Sequence, residues 1–363
     1  MRPKWFLVLS VAALTTTVLT AGCGNGSDSG SGKQAEDAPT IALFLPESKT
    51  TRYEAFDRPL FEAKVKALCA DCKLLYNNAD QDAAKQQQQV ESALAQGADV
   101  LVLDAVDAAA AASLVNQAKQ KKVPVIAYDR LISDISYDYY VSFNNVRVGE
   151  AQGQALLDAL NAKGTADKGK IVMINGAPTD PSSADYKTGA HNVLDGKVQI
   201  GREFDTPDWS PDKAQQQMEQ AITALGRDNI VGVLSANDGM AGGAIAAMKR
   251  AGYTTLPPIT GQDAELAAVQ RILTGEQYMT IYLDIRSEAE KSAELAVGLA
   301  KGEPASATTK VNNGAADIPA FLLDPIAVTA DKIKDTIVKD GFYKASEICT
   351  GAVAAACAKA GIQ

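Results

Sequence analysis

The chain has a single histidine, His191, and its five cysteines form no cluster around it. A Ser-His-Asp hydrolase would have only this one base, and no G-x-S-x-G nucleophile elbow accompanies it. Zinc calls for clustered His or Cys ligands, which are missing. His191 falls inside an expected helix and is read as facing solvent. Nor is there a basic patch to suggest nucleic acid. Lys and Arg number 35 against 44 Asp and Glu, a net charge of −9 that favours solubility and says little about function. Asn78-x-Asp80-x-Asp82 opens like a calcium loop, but Ala83 stands where Gly is required and Gln89 where the bidentate Glu belongs. The Gly-rich run Asn237-Asp238-Gly239-Met240-Ala241-Gly242-Gly243 starts with a carboxylate, which repels phosphate, so Gly242-Gly243 are read as close helix–strand packing. Nothing places two carboxylates at the separation glycoside hydrolysis needs. No catalytic residue, metal or cofactor is expected, and the chain is read as a non-enzyme.

Core-forming material is ample. Of 363 residues 46% are hydrophobic, enough for one large domain or two ordinary ones. Residues 1–22 read as a signal peptide, with Arg2 and Lys4 as the charged start and Phe6 to Leu19 as the apolar stretch. That stretch is too short, and too polar at its end, for a membrane span. Thr20-Ala21-Gly22-Cys23 resembles a bacterial lipobox, with Thr20 where Leu is commoner, so Cys23 is expected to be lipidated; ordinary secretion is the alternative. Residues 23–39 have the Gly/Ser/Asp composition of a flexible tether. Export implies an oxidising compartment and disulfides. Cys69 and Cys72 are close enough to bridge locally. Cys349 and Cys357 would stand about 12 Å apart along an unbroken helix, so Thr350-Gly351 must break it within a C-terminal tail at 346–363. A redox role for Cys69-Ala70-Asp71-Cys72 lacks the strand-then-helix-start setting that lowers a thiol's pKa.

From Thr40 the chain alternates strand and helix. Strands are expected at 40–45, 73–77, 99–103, around Val123–Tyr128 and at 139–143, with helices at 53–68, 82–96 and 108–121 between them. The pattern then restarts. Helices at 146–160, 184–193, 211–225, 239–250, 264–273 and 287–301 alternate with strands at 170–175, 199–204, 230–235, 258–261 and 279–283. Two such strings exceed one open sheet, so the fold class is α/β with two similar doubly wound parallel-sheet lobes. An eight-stranded barrel uses the same alphabet and is the structural alternative.

Ligands of open α/β sheets sit beyond the carboxyl ends of strands. There this chain places Asp129-Arg130 after Val125-Ile126-Ala127-Tyr128, and Arg52-Tyr53 beyond Leu45. Asp180, Asp208-Trp209, Asn237-Asp238 and Gln262-Asp263 follow the later strands. A surface ion pair would account for Asp129-Arg130, and helix N-caps for Asp82, Asp212 and Asp238. Neither accounts for Trp209 beside Asp208, or for Arg52-Tyr53. Carboxylate, amide and guanidinium groups can bond neighbouring hydroxyls, and an aromatic face suits the apolar face of a sugar ring.

Ala127-Tyr128-Asp129-Arg130-Leu131-Ile132, Asp208-Trp209-Ser210-Pro211, the Asn237–Ile245 run and Gly261-Gln262-Asp263-Ala264-Glu265-Leu266 carry a family resemblance. Val311-Asn312-Asn313-Gly314 and Lys334–Phe342 extend it. From Thr40 to about Ser346 the chain resembles the D-xylose-binding proteins of bacterial ABC sugar importers, within the ribose- and galactose-type periplasmic binding proteins. The resemblance implies two lobes joined by three crossings, near Asn144, Leu283 and Asn313-Gly314, that close on a monosaccharide. Lobe 1 would hold residues 40–144 and 284–314, and lobe 2 residues 145–283 and 315–345. Arg52, Asp129, Arg130, Asp180, Asn237 and Asp263 would bond the sugar and Trp209 would stack on it, with Tyr53 as an aromatic wall where the family has Trp. Ser182 stands at a family amide and Leu283 at a family lysine. These two departures would leave sugar hydroxyls unmatched and leave xylose itself open. The implied role is a lipid-anchored, extracytoplasmic and monomeric protein delivering sugar to an importer permease; a sugar sensor docking on a receptor kinase is the alternative.

Overall fold

Short apolar runs framed by turn residues become the strands, and the amphipathic stretches between them become helices that cover the sheets. The computed structural model describes residues 38–362, so the expected signal peptide, Cys23 and most of the tether lie outside the described residues. The first pass comprises β1 (Thr40–Leu45), α1 (Arg58–Leu68), β2 (Lys73–Asn78), α2 (Ala83–Ala95), β3 (Val100–Leu103), α3 (Ala111–Gln120), β4 (Val125–Tyr128) and β5 (Tyr139–Phe143). A wide π-type turn, Tyr53–Asp57, leads into α1 and aims Arg52 and Tyr53 back over the strand ends.

The second pass is α4 (Asn145–Lys163), β6 (Lys170–Asn175), α5 (Pro181–Leu194), β7 (Gln199–Asp205), α6 (Pro211–Leu225), β8 (Ile230–Ser235), α7 (Asp238–Arg250), α8 (Leu266–Thr274) and β9 (Met279–Tyr282). Then come α9 (Ile285–Ala300), β10 (Thr309–Asn312), β11 (Asp317–Leu323), β12 (Ile326–Thr329), α10 (Ala345–Ile348) and α11 (Ala354–Lys359).

One seven-stranded sheet has the order β10-β11-β5-β4-β3-β1-β2, parallel except for the β10–β11 hairpin. The other lobe is built on β7-β6-β8 and the antiparallel pair β12-β9. Residues 258–261, expected as a strand, join these two only through single bridges, Val233 to Ile259 and Gln262 to Ile281.

The chain changes lobes at Asn144, at Leu283-Asp284 and at Asp324-Pro325. The third position corrects the expectation of Asn313-Gly314. Asn-Gly is a hairpin dipeptide, and here it turns β10 into β11, with Gly314 at φ +97°. Asn313 is tied to the carbonyls of Ile132 and Ile135. β11 therefore pairs with β5 and stays in the first lobe, and residues 315–323 move there with it. The first and third crossings run side by side: the Asn144 amide donates to the Leu323 carbonyl at 2.9 Å, and Arg147 pairs with Asp324.

Both expected disulfides are present, Cys69–Cys72 and Cys349–Cys357, with Cα separations of 5.3 and 5.7 Å. A tight turn, Gly351–Val353, breaks the helix between the second pair. Two smaller expectations change. Gly243 serves helix–helix contact, because a Cβ there would lie 2.2 Å from the Pro211 carbonyl oxygen at the start of α6. His191 is half-buried and bridges Asp195 and Glu203.

Candidate functional site

The carboxyl ends of the strands from both lobes face one another across a cleft. Thr50, Arg52, Tyr53, Asp129 and Arg130 line it from the first lobe. Asp180, Tyr186, Trp209, Asn237, Gln262 and Asp263 line it from the second. The cavity left between them is small, about 20 Å³, well below the volume of an open small-molecule pocket, so the two walls stand close together. The lobes also touch directly: Arg130 Nε lies 3.0 Å from Asp180 Oδ2, and the Thr51 amide donates to Glu265 Oε1 at 3.3 Å. Phe56 stacks on Phe342 with ring centroids 4.1 Å apart.

Arg52 is almost wholly withdrawn from solvent. Its guanidinium grips Asp57 through Nε (3.0 Å) and Nη2 (2.7 Å), reaches Asp129 through Nη1 (3.2 Å) and also bonds Glu288. Glu288 lies one turn into α9, just past the second crossing, and Tyr128 donates its hydroxyl to Asp57. Tyr53 is more than an aromatic wall, since its hydroxyl donates to Asp129 Oδ2 at 2.9 Å. Arg130 donates to the Ala105 carbonyl at 3.1 Å, and its Nε lies between Asp104 and Asp180. Burial raises the carboxyls of Asp104 and Glu288, with Arg130 and Arg52 respectively pulling them back down.

In the second lobe the helix starts shape the site. Asp180 caps α5 by accepting from the Ser182 amide at 2.9 Å, and Asn237 caps α7 through Oδ1, leaving its NH₂ for the cleft. Asp238, weighed as that cap, is instead fully buried and accepts from Gln277, Thr280 and the Glu265 amide. Ser210 rather than Asp212 caps α6, and Asp82 caps α2. Backbone strain gathers here: Asp129, Trp209 and Asp263 have φ of +59°, +52° and +90°. Left-handed conformations at non-glycine residues cost roughly 1–3 kcal/mol each and concentrate at functional sites.

Two expected site residues do not line the cleft. Leu283 is fully buried in the apolar core, because the strand end turns it inward as Asp284 caps α9. Ser182 lies behind Asp180 and accepts from Asn145 Nδ2 at 3.1 Å. Neither side chain supplies a polar group to the cleft. Three lining residues went unassigned in the sequence: Thr50, Tyr186 and Gln262, whose buried Oε1 has no partner among the described residues. Tyr186 shares the buried face of α5 with Ser182 and Ser183, so helical periodicity counted from Asp180 would have found it. Glu288 occupies the apolar stripe of α9 beside Ile285, Ala289 and Ser292, and a carboxylate in such a stripe is itself a signal.

Burial pushes the Asp263 carboxyl up to about 7, with Arg52 drawing it down and Glu265 and Asp129 pushing it further up. In the unfolded chain an Asp titrates near 3.9. Between those values the folded state holds the extra proton, so this contribution to stability is full below about pH 4 and lost as pH rises through about 7. Asp263→Asn mimics the protonated form. Its ligand-free thermal midpoint is expected to gain on the parent's between pH 5 and pH 8; a constant difference would show that Asp263 does not titrate there.

Over residues 41–304 the chain matches the profile of a family described as periplasmic binding protein domain. It is 36% identical over 313 residues to the D-xylose-binding periplasmic protein of Escherichia coli, covering 85% of this chain and 92% of that protein. With the multiple sugar-binding periplasmic protein SbpA of Azospirillum brasilense it shares 33% identity, over 85% of this chain and 91% of the other. A solved ABC transporter solute-binding protein from Clostridium phytofermentans, with bound β-D-glucose, superposes at TM-score 0.79 and 28% identity, covering 85% of this chain and 99% of that one.

Proposed function

Because the chain belongs to the periplasmic binding protein domain family, in the sugar-binding group that includes the D-xylose-binding proteins, we propose that it captures a monosaccharide between its lobes. The ligand is xylose or a related aldose, delivered to the permease of an ABC importer, and the protein performs no chemistry on it. It works outside the cytoplasm as a monomer held to the membrane through lipidated Cys23.

One observation carries this reading. Charged and amide groups that follow five strand ends converge with Trp209 on one cleft between the lobes. Such groups bond adjacent hydroxyls in pairs, and charged partners strengthen those bonds. Leu283 and Ser182, at the family's lysine and amide positions, supply no polar group to the wall, while Thr50, Tyr186 and Gln262 add hydrogen-bonding groups. That supports an aldose in general more than xylose alone.

A thermal-shift screen against pentoses and hexoses tests it, since a ligand that binds only the folded state raises the midpoint. The best ligand is expected to make the protein more compact in solution X-ray scattering, because the sugar's greater affinity for the closed form drives closure. Tight binding with an unchanged scattering profile would refute closure, and no shift with any aldose would refute the sugar.

A further inference from the structure

Asp180 belongs to the residues a resemblance would have touching the sugar, yet its carboxylate is already heavily engaged. Oδ1 accepts from the Ser182 amide at 2.9 Å. Oδ2 accepts from the Trp209 indole Nε1 at 3.2 Å and lies 3.0 Å from Arg130 Nε in the opposite lobe. An ionised carboxylate has about four acceptor positions, and three of them face protein groups.

Trp209 has little freedom of its own. A Cβ at Gly176 would lie 2.0 to 2.4 Å from three atoms of its ring, so the indole rests directly on that bare backbone. Tyr186 meets it edge-on at 6.4 Å, and Asp208 and Trp209 are both held at positive φ. The indole has one N–H, and its bond to Asp180 sets the ring's rotation within that slot. Arg130 gives Nη1 to the Ala105 carbonyl and Nη2 to the Tyr53 hydroxyl, and its Nε lies 3.4 Å from Asp104 and 3.0 Å from Asp180, so Asp180 is the group of the opposite lobe that fixes how far the guanidinium reaches across the cleft.

We propose that Asp180 is a positioning residue, which sets the Trp209 ring and draws Arg130 across the cleft so that these two groups, and not its own carboxylate, meet the ligand. The inference rests on the sugar-binding reading.

The test uses the full chain with Trp5→Phe, which leaves Trp209 as the only tryptophan of the two in the sequence. Asp180→Asn and Asp180→Ser both keep a good N-cap for α5 and lose the charge facing Trp209 and Arg130, so one serves if the other folds poorly. Affinities are measured for the best aldose of the screen and for each of its monodeoxy analogues. A positioning role predicts the same loss, about tenfold or more, for the parent sugar and every analogue, together with a shift in the ligand-free Trp209 emission. If instead one analogue binds parent protein and variants equally while the others lose affinity, Asp180 contacts that hydroxyl directly and the inference falls. It falls as well if affinity and emission stay unchanged. Failure of the sugar reading looks different, because the parent protein then binds none of the sugars.

Discussion

Replacing Arg52 by leucine is expected to destabilise the fold by about 3–5 kcal/mol, the usual cost of removing one partner from a buried ion network. The guanidinium is the cation shared by Asp57, Asp129 and Glu288, none of which is more than slightly exposed. Leucine fills part of the volume and leaves three carboxylates without that cation in a poorly solvated place. The thermal midpoint should fall by on the order of 10 °C. The defect should shrink on acidification, because burial raises the Glu288 carboxyl and losing Arg52 removes the charge that draws it down, so it takes up a proton readily, and it should be partly repaired by adding Glu288→Gln. A loss below 1 kcal/mol, or one independent of pH, would mean that solvent rather than Arg52 compensates these charges. The network also ties the cleft residue Asp129 to the start of α9 beside the second crossing. Sugar affinity in this variant should therefore fall together with stability.

Trp209→Ala is expected to weaken sugar binding by about 2–3 kcal/mol, the value of burying one large aromatic surface, or roughly 30- to 150-fold in Kd. The ring is nearly buried and lines the cleft between Gly176 and Tyr186, so truncation opens the wall and releases the partner of Asp180. Gly176→Ala approaches the same ring from behind. Its added methyl must displace the indole, so it should also lose affinity although no polar group is removed. Calorimetry on variants with parent-like circular dichroism checks both. An unchanged Kd for Trp209→Ala would remove the indole from the binding surface.

Several features were legible in the residues because the signals are local. β1, β5, β6, α6 and β8 run between the bounds that their apolar runs and turn residues mark out. Both disulfides follow from short spacing and a break at Thr350-Gly351. The placing of Asp129, Arg130, Trp209, Asn237 and Asp263 at one rim follows from a rule about strand ends that needs no coordinates.

What the chain by itself determined is therefore the alternation of elements and the charged, amide and aromatic residues presented at strand ends, since each depends on neighbours a few positions away. Tertiary structure decided the rest. Asn313-Gly314 is a hairpin and not a crossing because β11 finds its partner in β5, a pairing that joins residues far apart in the chain. Leu283 and Ser182 leave the cleft because packing, not position after a strand, sets where a side chain points. Asp57 and Glu288 become parts of the site only because α9 returns to the first lobe and buries them against Arg52. A buried charge must find its counterion wherever the fold brings one, and that distance in sequence cannot be read from spacing.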